Sequence, residues 1–273
     1  MGFNKKDQMI LSRMQEAKHR HEDLREVFNF YEKLFQAQFA FKSQLEAGPT
    51  GRSLQGKTIQ LSSMADGIPQ ITFDDLNMAA ASFMEPYQSI LELLTQYTGD
   101  SPSLGERPQP DRILRYAREI FDRRGPFVGP EPPLDYPRTA SGWVLAPFLQ
   151  LACESIMPRL DLNQWDYGYC PLCGGTPSLA ALNIESGART LLCSRCNGEW
   201  SFRRIGCPSC RGNDPQTYYP SEDGQYRLYA CSICNHYLKT VIVHGAGSDV
   251  CLPVECIVAV PMDIAAQGKG YTF

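Results

Sequence analysis

Four Cys-x-x-Cys pairs lie between positions 170 and 234 of this 273-residue chain. They contain eight of its eleven cysteines: Cys170/Cys173, Cys193/Cys196, Cys207/Cys210 and Cys231/Cys234. Because four thiolates bind one tetrahedral metal ion, eight thiolates at this spacing predict two four-sulfur metal sites. The backbone around these pairs must therefore fold so that the sulfurs of distant turns converge.

The cysteine-rich stretch is also an internal repeat. The motif CPLCGG at Cys170 recurs as CPSCRG at Cys207, and LLCSRCNGEW recurs as LYACSICNHYL around Cys231. Each repeat contains two pairs separated by nearly the same length of chain, which favours one metal per repeat over an interleaved arrangement. The predicted groups are Cys170, Cys173, Cys193 and Cys196 for one ion, and Cys207, Cys210, Cys231 and Cys234 for the other.

The segments between the paired turns predict short strands. They read SLAALNI and ARTLLC in the first repeat, and QTYYP and YRLYAC in the second, with SG or EDG as hairpin turns. Each repeat is thus predicted to be an antiparallel ribbon of the zinc-ribbon or rubredoxin type.

Zinc and iron both accept four thiolates, so ligand type leaves the metal undecided. Because such ribbons bury little apolar surface, serine at Cys193 is expected to unfold its own ribbon.

Paired cysteines have two other common uses in proteins, disulfides and redox-active dithiols. Disulfides would suit a secreted chain, but the sequence begins without an apolar run and cleavage site, and it has no segment of transmembrane length. A thioredoxin-like dithiol would need one pair in a βαβ context. We therefore expect a cytoplasmic protein, without a membrane partner, whose cysteines are reduced and bind metal.

Charge and motifs argue against several function classes. The stretch from Gly168 to His244 is slightly acidic once two ions with four thiolates each are included, whereas a nucleic-acid ribbon would offer phosphates a positive face. No Gly-rich phosphate loop, His-Glu-x-x-His motif, nucleophile elbow or carboxylate pair stands out. We therefore expect neither an enzyme nor a nucleic-acid partner, and the sequence identifies no small-molecule substrate.

Apolar residues at three- and four-residue steps predict that the first part of the chain is helical. The predicted helices run from about Asp7 to Glu46, from Asp111 to Arg124 and from Ser141 to Leu160. The segment after Gly48-Pro49 is predicted to be a loop. Thr72 and Asp75 are expected to form a capping box that opens a further helix, which Pro86 should split.

These patterns predict an α+β chain. An N-terminal all-α helical domain is followed by two tandem rubredoxin-like or zinc-ribbon metal-binding modules and a short helical C-terminal tail, begun by Pro253 and Pro261. The predicted domains are 1–165 for the helices, 166–205 for the first ribbon, 206–247 for the second ribbon and 248–273 for the tail. Outside the repeats, Cys153, Cys251 and Cys256 are expected to be structural thiols.

Several motifs together point to one family. They are YCPLCGG, LLCSRCNGEW with Glu199 and Trp200, Arg204 ahead of CPSC, ACSICNHYLK, and a tail ending in KGYTF. In these motifs the ribbon half resembles the formate dehydrogenase accessory (formation) proteins of the FdhE type. The resemblance implies a non-catalytic cytoplasmic assembly factor with two rubredoxin-like iron sites, in which the eight cysteines are the ligands and zinc is the alternative metal. It implies as partner the catalytic subunit of formate dehydrogenase, which contains molybdenum or tungsten, during its maturation.

Other function classes remain open at this point. A rubredoxin-like protein would use its iron sites to transfer electrons, and a zinc ribbon would bind nucleic acid. A sulfur- or thiol-transfer enzyme would need a reactive thiolate outside the two metal sites, for which Cys251 and Cys256 are the candidates.

Overall fold

The computed structural model describes residues 2–60, 64–99, 109–125, 135–213, 216–245 and 250–273. The chain forms two compact units: Met1–Ile59 with Ile71–Leu160, and Gln60–Gln70 with Asp161–Phe273. The first unit is helical, whereas the second contains a six-stranded sheet. The predicted α+β class is therefore confirmed, while the four-part domain division stays a prediction.

The first unit packs around one central helix. Its described α-helices are α1 (Lys5–Arg20), α2 (Arg25–Ala47), α3 (Pro49–Gln55), α4 (Ala80–Thr98), α5 (Pro110–Arg123) and α6 (Tyr136–Ile156). Helix α6 contacts α2, α3, α4 and α5, and nearly all of its side chains are buried. Asp135 caps α6 by accepting a hydrogen bond from the Arg138 N–H, so this helix begins earlier than predicted.

Two predictions about the start of this unit were wrong. The single helix expected from Asp7 to Glu46 is broken at His21, because the run KHRHEDLRE contains only Leu24 as an apolar residue and offers no face to bury. The loop expected after Gly48 instead contains α3, which has Pro49 in its first turn. A proline is tolerated there because the N–H groups of the first turn have no acceptor within the helix.

Two further predictions failed in the region before α4. Asp75 does accept hydrogen bonds from the N–H and hydroxyl of Thr72, but only one 3₁₀ turn follows, and the left-handed backbone of Asn77 ends it. Pro86 lies inside α4 and does not split it. The buried face of that helix, including Phe83 and Tyr87, continues across the proline, so packing outweighs the lost backbone hydrogen bond.

The second unit brings both cysteine repeats into one sheet. Its strands are β1 (Pro177–Asn183), β2 (Arg189–Cys193), β3 (Glu199–Phe202), β4 (Thr217–Pro220), β5 (Tyr226–Ala230) and β6 (Tyr237–Val243). The strand order is β3-β2-β1-β6-β5-β4, and β1 and β6 pair in parallel, with Ala180 opposite Thr240. The hairpin strands were predicted. The third strand of each repeat, β3 in the first and β6 in the second, was not predicted. Strand β6 joins the two ribbons by pairing with β1.

Two short helices close the chain, α7 (Leu252–Val258) and α8 (Val260–Gly268), with Pro253 and Pro261 in their first turns as predicted. Lys239 of β6 donates hydrogen bonds to the Asp263 carboxylate, at 2.7 Å, and to the Cys256 carbonyl, at 3.1 Å. The tail is therefore tied to the sheet. Among the described helices, none combines the length and the apolar character that crossing a bilayer requires.

Candidate metal centres

The structure brings the cysteine sulfurs together in two groups, as the sequential pairing predicts. Cluster 1 consists of Cys170, Cys173, Cys193 and Cys196, and cluster 2 consists of Cys207, Cys210, Cys231 and Cys234. Within each cluster all four sulfur atoms lie within 4.8 Å of one another. Neither an interleaved arrangement nor a set of scattered thiols fits these positions.

The distances between sulfurs suit a tetrahedral ion. The Sγ–Sγ separations are 3.6 Å for Cys170–Cys196, 3.6 Å for Cys173–Cys193, 3.6 Å for Cys207–Cys234 and 3.7 Å for Cys210–Cys231. Metal–sulfur bonds of about 2.3 Å in a regular tetrahedron give edges of about 3.8 Å, whereas a disulfide would bring two sulfurs to about 2.05 Å. Each cluster can therefore hold a metal ion, and zinc and iron both fit four thiolates.

All four cysteine turns have the same local backbone. The N–H of each first cysteine donates to the carbonyl five residues later: Cys170 to Gly175, Cys193 to Gly198, Cys207 to Gly212 and Cys231 to His236. The residue after each second cysteine has a left-handed backbone: Gly174, Asn197, Arg211 and Asn235. Glycine and asparagine adopt this conformation at low cost, so three of the four turns have residues suited to it.

Backbone N–H groups also point at the sulfurs of cluster 2. Burial raises the pKa of Cys207 to about 12, although the N–H groups of Cys210 and Ser209 oppose this shift. Burial also acts to raise the pKa of Cys231, but there the N–H groups of Cys234 and Ile233 prevail and lower it to about 7. In both turns the backbone N–H groups therefore act in favour of the thiolate, which is the form that binds metal.

Cluster 1 is fully enclosed. All four of its cysteines are buried, and burial raises the pKa of Cys170 well above its usual value. Hydrogen bonds from the neighbouring thiols, that of Cys170 first, hold the pKa of Cys173 well below its usual value, and the positive charge of Arg195 acts in the same direction. Arg195 is 1% exposed. A buried cation beside four sulfurs offsets part of the negative charge of a metal-thiolate site.

Gly175 shows how tightly cluster 1 is packed. A Cβ atom at this position would lie 2.9 Å from the sulfur of Cys193 and 2.8 Å from Cδ of Arg195. Any larger residue would therefore displace a ligand or the buried arginine.

Cluster 2 opens to solvent on one side. Cys210 is exposed and Cys234 is partly exposed, whereas Cys207 and Cys231 are buried. Two isoleucines on the loops of this cluster are also exposed, Ile205 at 66% and Ile233 at 55%. Cluster 2 is therefore partly open to solvent and flanked by exposed apolar side chains, whereas cluster 1 is enclosed by protein.

Sequence reasoning missed two supports of cluster 1. The first is Arg195, and the only feature of the sequence that could have indicated its role is that a charged residue lies between Cys193 and Cys196. The second is residues 64–70, which pack against the first cysteine turn: the Gln70 N–H donates to the Pro171 carbonyl, and the Tyr169 hydroxyl donates to the Gly67 carbonyl. No local pattern links these residues to a turn so far along the chain.

The remaining cysteines lie outside both clusters. Cys153 is buried in α6 and Cys251 is buried before α7, whereas Cys256 is partly exposed and its sulfur lies 3.8 Å from Nζ of Lys239. The ring of His236 contacts the carbonyl of Cys234, at 3.0 Å, and leaves the four sulfur positions to cysteine.

Known proteins with similar sequences are FdhE proteins. Residues 169–204 match the family model described as "FdhE, central domain". The chain is 25% identical, over 98% of its length, to a "Protein FdhE homolog" from Aquifex aeolicus, of which the match covers 93%. It is 30% identical to a homolog from Stutzerimonas stutzeri, where the match covers 46% of each chain, and 27% identical to "Protein FdhE" from Escherichia coli, covering 38% of this chain and 34% of that one.

A solved structure shares the fold. The crystal structure of the FdhE protein from Pseudomonas aeruginosa matches 99% of this chain and 95% of its own, with a TM-score of 0.61 and 18% sequence identity. The family resemblance drawn from the cysteine repeats is therefore confirmed: the chain is similar to FdhE proteins over nearly its whole length, and it shares their fold.

Proposed function

We propose that this chain is a non-catalytic accessory factor that binds the catalytic subunit of formate dehydrogenase during its maturation. The eight cysteines of clusters 1 and 2 are the ligands of two metal ions, iron in the first instance and zinc as the alternative. The proposed location is the cytoplasm, where thiols stay reduced. The four-part division into helical domain, two ribbons and tail belongs to the same proposal.

The observation that carries this proposal is the pair of preorganised four-sulfur clusters in a chain of the FdhE type. A resident ion in each cluster would cross-link two turns of one repeat and so hold the strands between them. Because both repeats share one sheet, two ions would make the whole sheet unit rigid. A rigid surface of this kind can hold a client that is incompletely folded.

Co-purification tests the client. The tagged chain is expressed together with the formate dehydrogenase catalytic subunit, and the bound subunit is quantified. We expect the intact chain to retain it, and Cys173→Ser in cluster 1 and Cys231→Ser in cluster 2 each to lose both metal and client. Cys256→Ser is the matched control, because that thiol lies outside both clusters, and it should retain both.

Normal client binding by a demetallated chain that is still folded would contradict the proposed role of the metal. Absence of the catalytic subunit from the intact, metal-loaded chain would contradict the proposed client. Metal content, measured by mass spectrometry on protein purified without added metal, decides between iron and zinc.

One observation favours electron transfer as a second candidate function. Cys210 of cluster 2 is exposed, so an iron ion there would lie close to the protein surface, where a redox partner can approach. The ferric protein should then be coloured, with a visible charge-transfer band that bleaches on reduction. A colourless protein that contains only zinc would exclude this function.

A further inference from the structure

The sheet carries a cleft on the face turned away from α8. Successive side chains of a strand point to opposite faces, so Thr240 lies on the face opposite Lys239, which contacts α8. Thr240 is paired with Arg227 of β5. Two residues further along β5, Tyr229 pairs with Tyr218 of β4 and lies on the same face.

Side chains of the first repeat complete the cleft. Arg189 of β2 is paired with Leu182 of β1, which in turn pairs with Ile242 of β6, two residues from Thr240. The cleft therefore spans the parallel junction of β1 and β6 and takes residues from both repeats. Its volume is about 340 Å³, which is in the range of pockets that hold small molecules.

The cleft is strongly cationic. Arg189, Arg204 and Arg227 all line it, and none of its described lining residues is acidic. Within the described ranges of the chain, none of these three arginines forms an ion pair with a carboxylate. The other arginines packed near the clusters include Arg211, which pairs with Asp166 at 3.9 Å. Three guanidinium groups that share one cleft without a carboxylate among its described lining residues repel one another, and an anion would relieve that repulsion.

Two buried polar atoms in the cleft lack partners among the described residues. Arg189 is 6% exposed, and its Nη1 donates to the Gly206 carbonyl at 3.1 Å, but its Nη2 has no hydrogen-bond partner in the part of the chain that the structure describes. Thr240 is 1% exposed, and its Oγ1 likewise has none. Burial lowers the pKa of Arg189 to about 10, which still leaves it charged at neutral pH. Buried donors left without acceptors are costly, so a ligand that supplies acceptors in this cleft would stabilise them.

The rim of the cleft is aromatic. The rings of Tyr218 and Tyr229 lie 5.6 Å apart, and the guanidinium of Arg227 lies 4.7 Å from the ring centroid of Tyr218. Tyr218 is 48% exposed, so one face of its ring is open to a ligand. A planar group on the ligand can stack there while its anionic end reaches the arginines.

We propose that this cleft binds a phosphate-bearing small molecule, with its phosphoryl oxygens at Arg189, Arg227 and Thr240 and a planar group near Tyr218. A phosphate offers three acceptor oxygens and up to two negative charges, which match several guanidinium forks and a hydroxyl better than the two oxygens of one carboxylate. None of the eight cluster cysteines lines the cleft, although it adjoins cluster 2 at Gly206 and the charge of Cys207 acts on Arg189. The proposal does not depend on the proposed client.

Calorimetry on the full metal-loaded chain tests this proposal, with inorganic phosphate, pyrophosphate and ADP as probes at constant ionic strength. We expect saturable binding of one pyrophosphate or ADP per chain, with ADP binding more tightly than inorganic phosphate. Arg227→Gln and Thr240→Val should each weaken ADP binding tenfold or more, because each removes a donor to the phosphoryl group. Arg20→Gln removes an exposed arginine of the helical unit and should bind as the unchanged chain does.

Near-ultraviolet circular dichroism and metal content, recorded before and after titration, show that each variant is folded and that the probes do not extract metal. Absence of saturable binding by all three probes would overturn the proposal, as would equal affinities in the unchanged chain and both cleft variants. A glutamate-rich peptide that binds at these arginines when the phosphates do not would assign the cleft to carboxylates and would also overturn it.

Discussion

Lys42 is a single residue on which the packing of the helical unit depends. Its side chain is 1% exposed and donates to Asp7 of α1, at 2.6 Å, and to Glu154 of α6. Even with Lys42 beside it, burial raises the pKa of Asp7, so this carboxylate is costly to keep in the interior. The main effect of Lys42 is therefore to keep the buried Asp7 carboxylate from being unpaired, and its attraction to that carboxylate contributes less net stability.

Replacing Lys42 tests this argument. Lys42→Met should lower the free energy of unfolding of the helical unit by about 3–5 kcal/mol, because it leaves Asp7 buried without its cation. Far-ultraviolet circular dichroism during urea unfolding measures the change. Lys33→Met on the exposed side of the same helix is the matched control and should stay within about 0.5 kcal/mol.

The double variant Asp7→Leu with Lys42→Met should recover much of the loss, since it removes both buried charges. A double variant no more stable than Lys42→Met alone would contradict the argument, because it would show that the unpaired Asp7 is not the cause of the loss.

At the scale of elements, β6 connects the two repeats and the tail. All seven of its residues are buried, and it pairs with β1 on one side and β5 on the other. Burial by itself would lower the pKa of Lys239 in this strand, but Cys256 and Asp263 raise it above the usual value. The stabilisation from this contact is therefore fully present below about pH 10.5 and is lost only as the pH rises through the raised pKa.

Removing the partner of this lysine should loosen the strand. Asp263→Ala leaves Lys239 buried without a carboxylate, and we expect the free energy of opening of β6 to fall by about 3–5 kcal/mol. Hydrogen exchange of the β6 amides, resolved by residue, gives this value. Glu222→Ala, at an exposed acidic position of the same unit, should leave the exchange unchanged, and equal protection in both variants would contradict the argument.

At the scale of the whole molecule, the two repeats are not independent ribbons. Strands β1 and β6 pair in parallel, so each repeat completes the sheet of the other. The helical unit has a core of its own around α6. Loss of one ion is therefore expected to affect both repeats together, in contrast to the sequence-based expectation that serine at Cys193 unfolds only its own ribbon.

Hydrogen exchange distinguishes the two outcomes. Cys193→Ser should lower protection in β1 and β2 and also in β5 and β6, while the amides of α6 keep theirs, because a structural tetrathiolate ion contributes about 10 kcal/mol or more to folding. Cys153→Ser, a buried thiol outside the clusters, is the control. Native protection of β5 and β6 in Cys193→Ser would show that each ribbon folds alone.

The cysteine turns could be predicted from the sequence because each is a local structure. Cys170 and Cys173, with Gly174 behind them, lie within one turn, and the repeat of this pattern indicated how the four pairs would combine. The helices were predicted where an apolar stripe was long, as in α5, and misplaced where a short polar run or an early proline decided the boundary, as at His21 and Pro49.

The amino-acid sequence by itself therefore determined the two sulfur clusters, their pairing and the family resemblance, since all of these depend on the cysteine motifs and their spacing in the chain. Only the tertiary structure decided that the repeats form one sheet, that Arg195 is buried beside cluster 1, and that Arg189 and Thr240 line one cationic cleft. The physical reason is the separation of the contacting residues along the chain. Arg189 and Thr240 come together through the parallel pairing of β1 with β6. A contact between strands so far apart in the chain leaves no periodic signal in the residues around either strand.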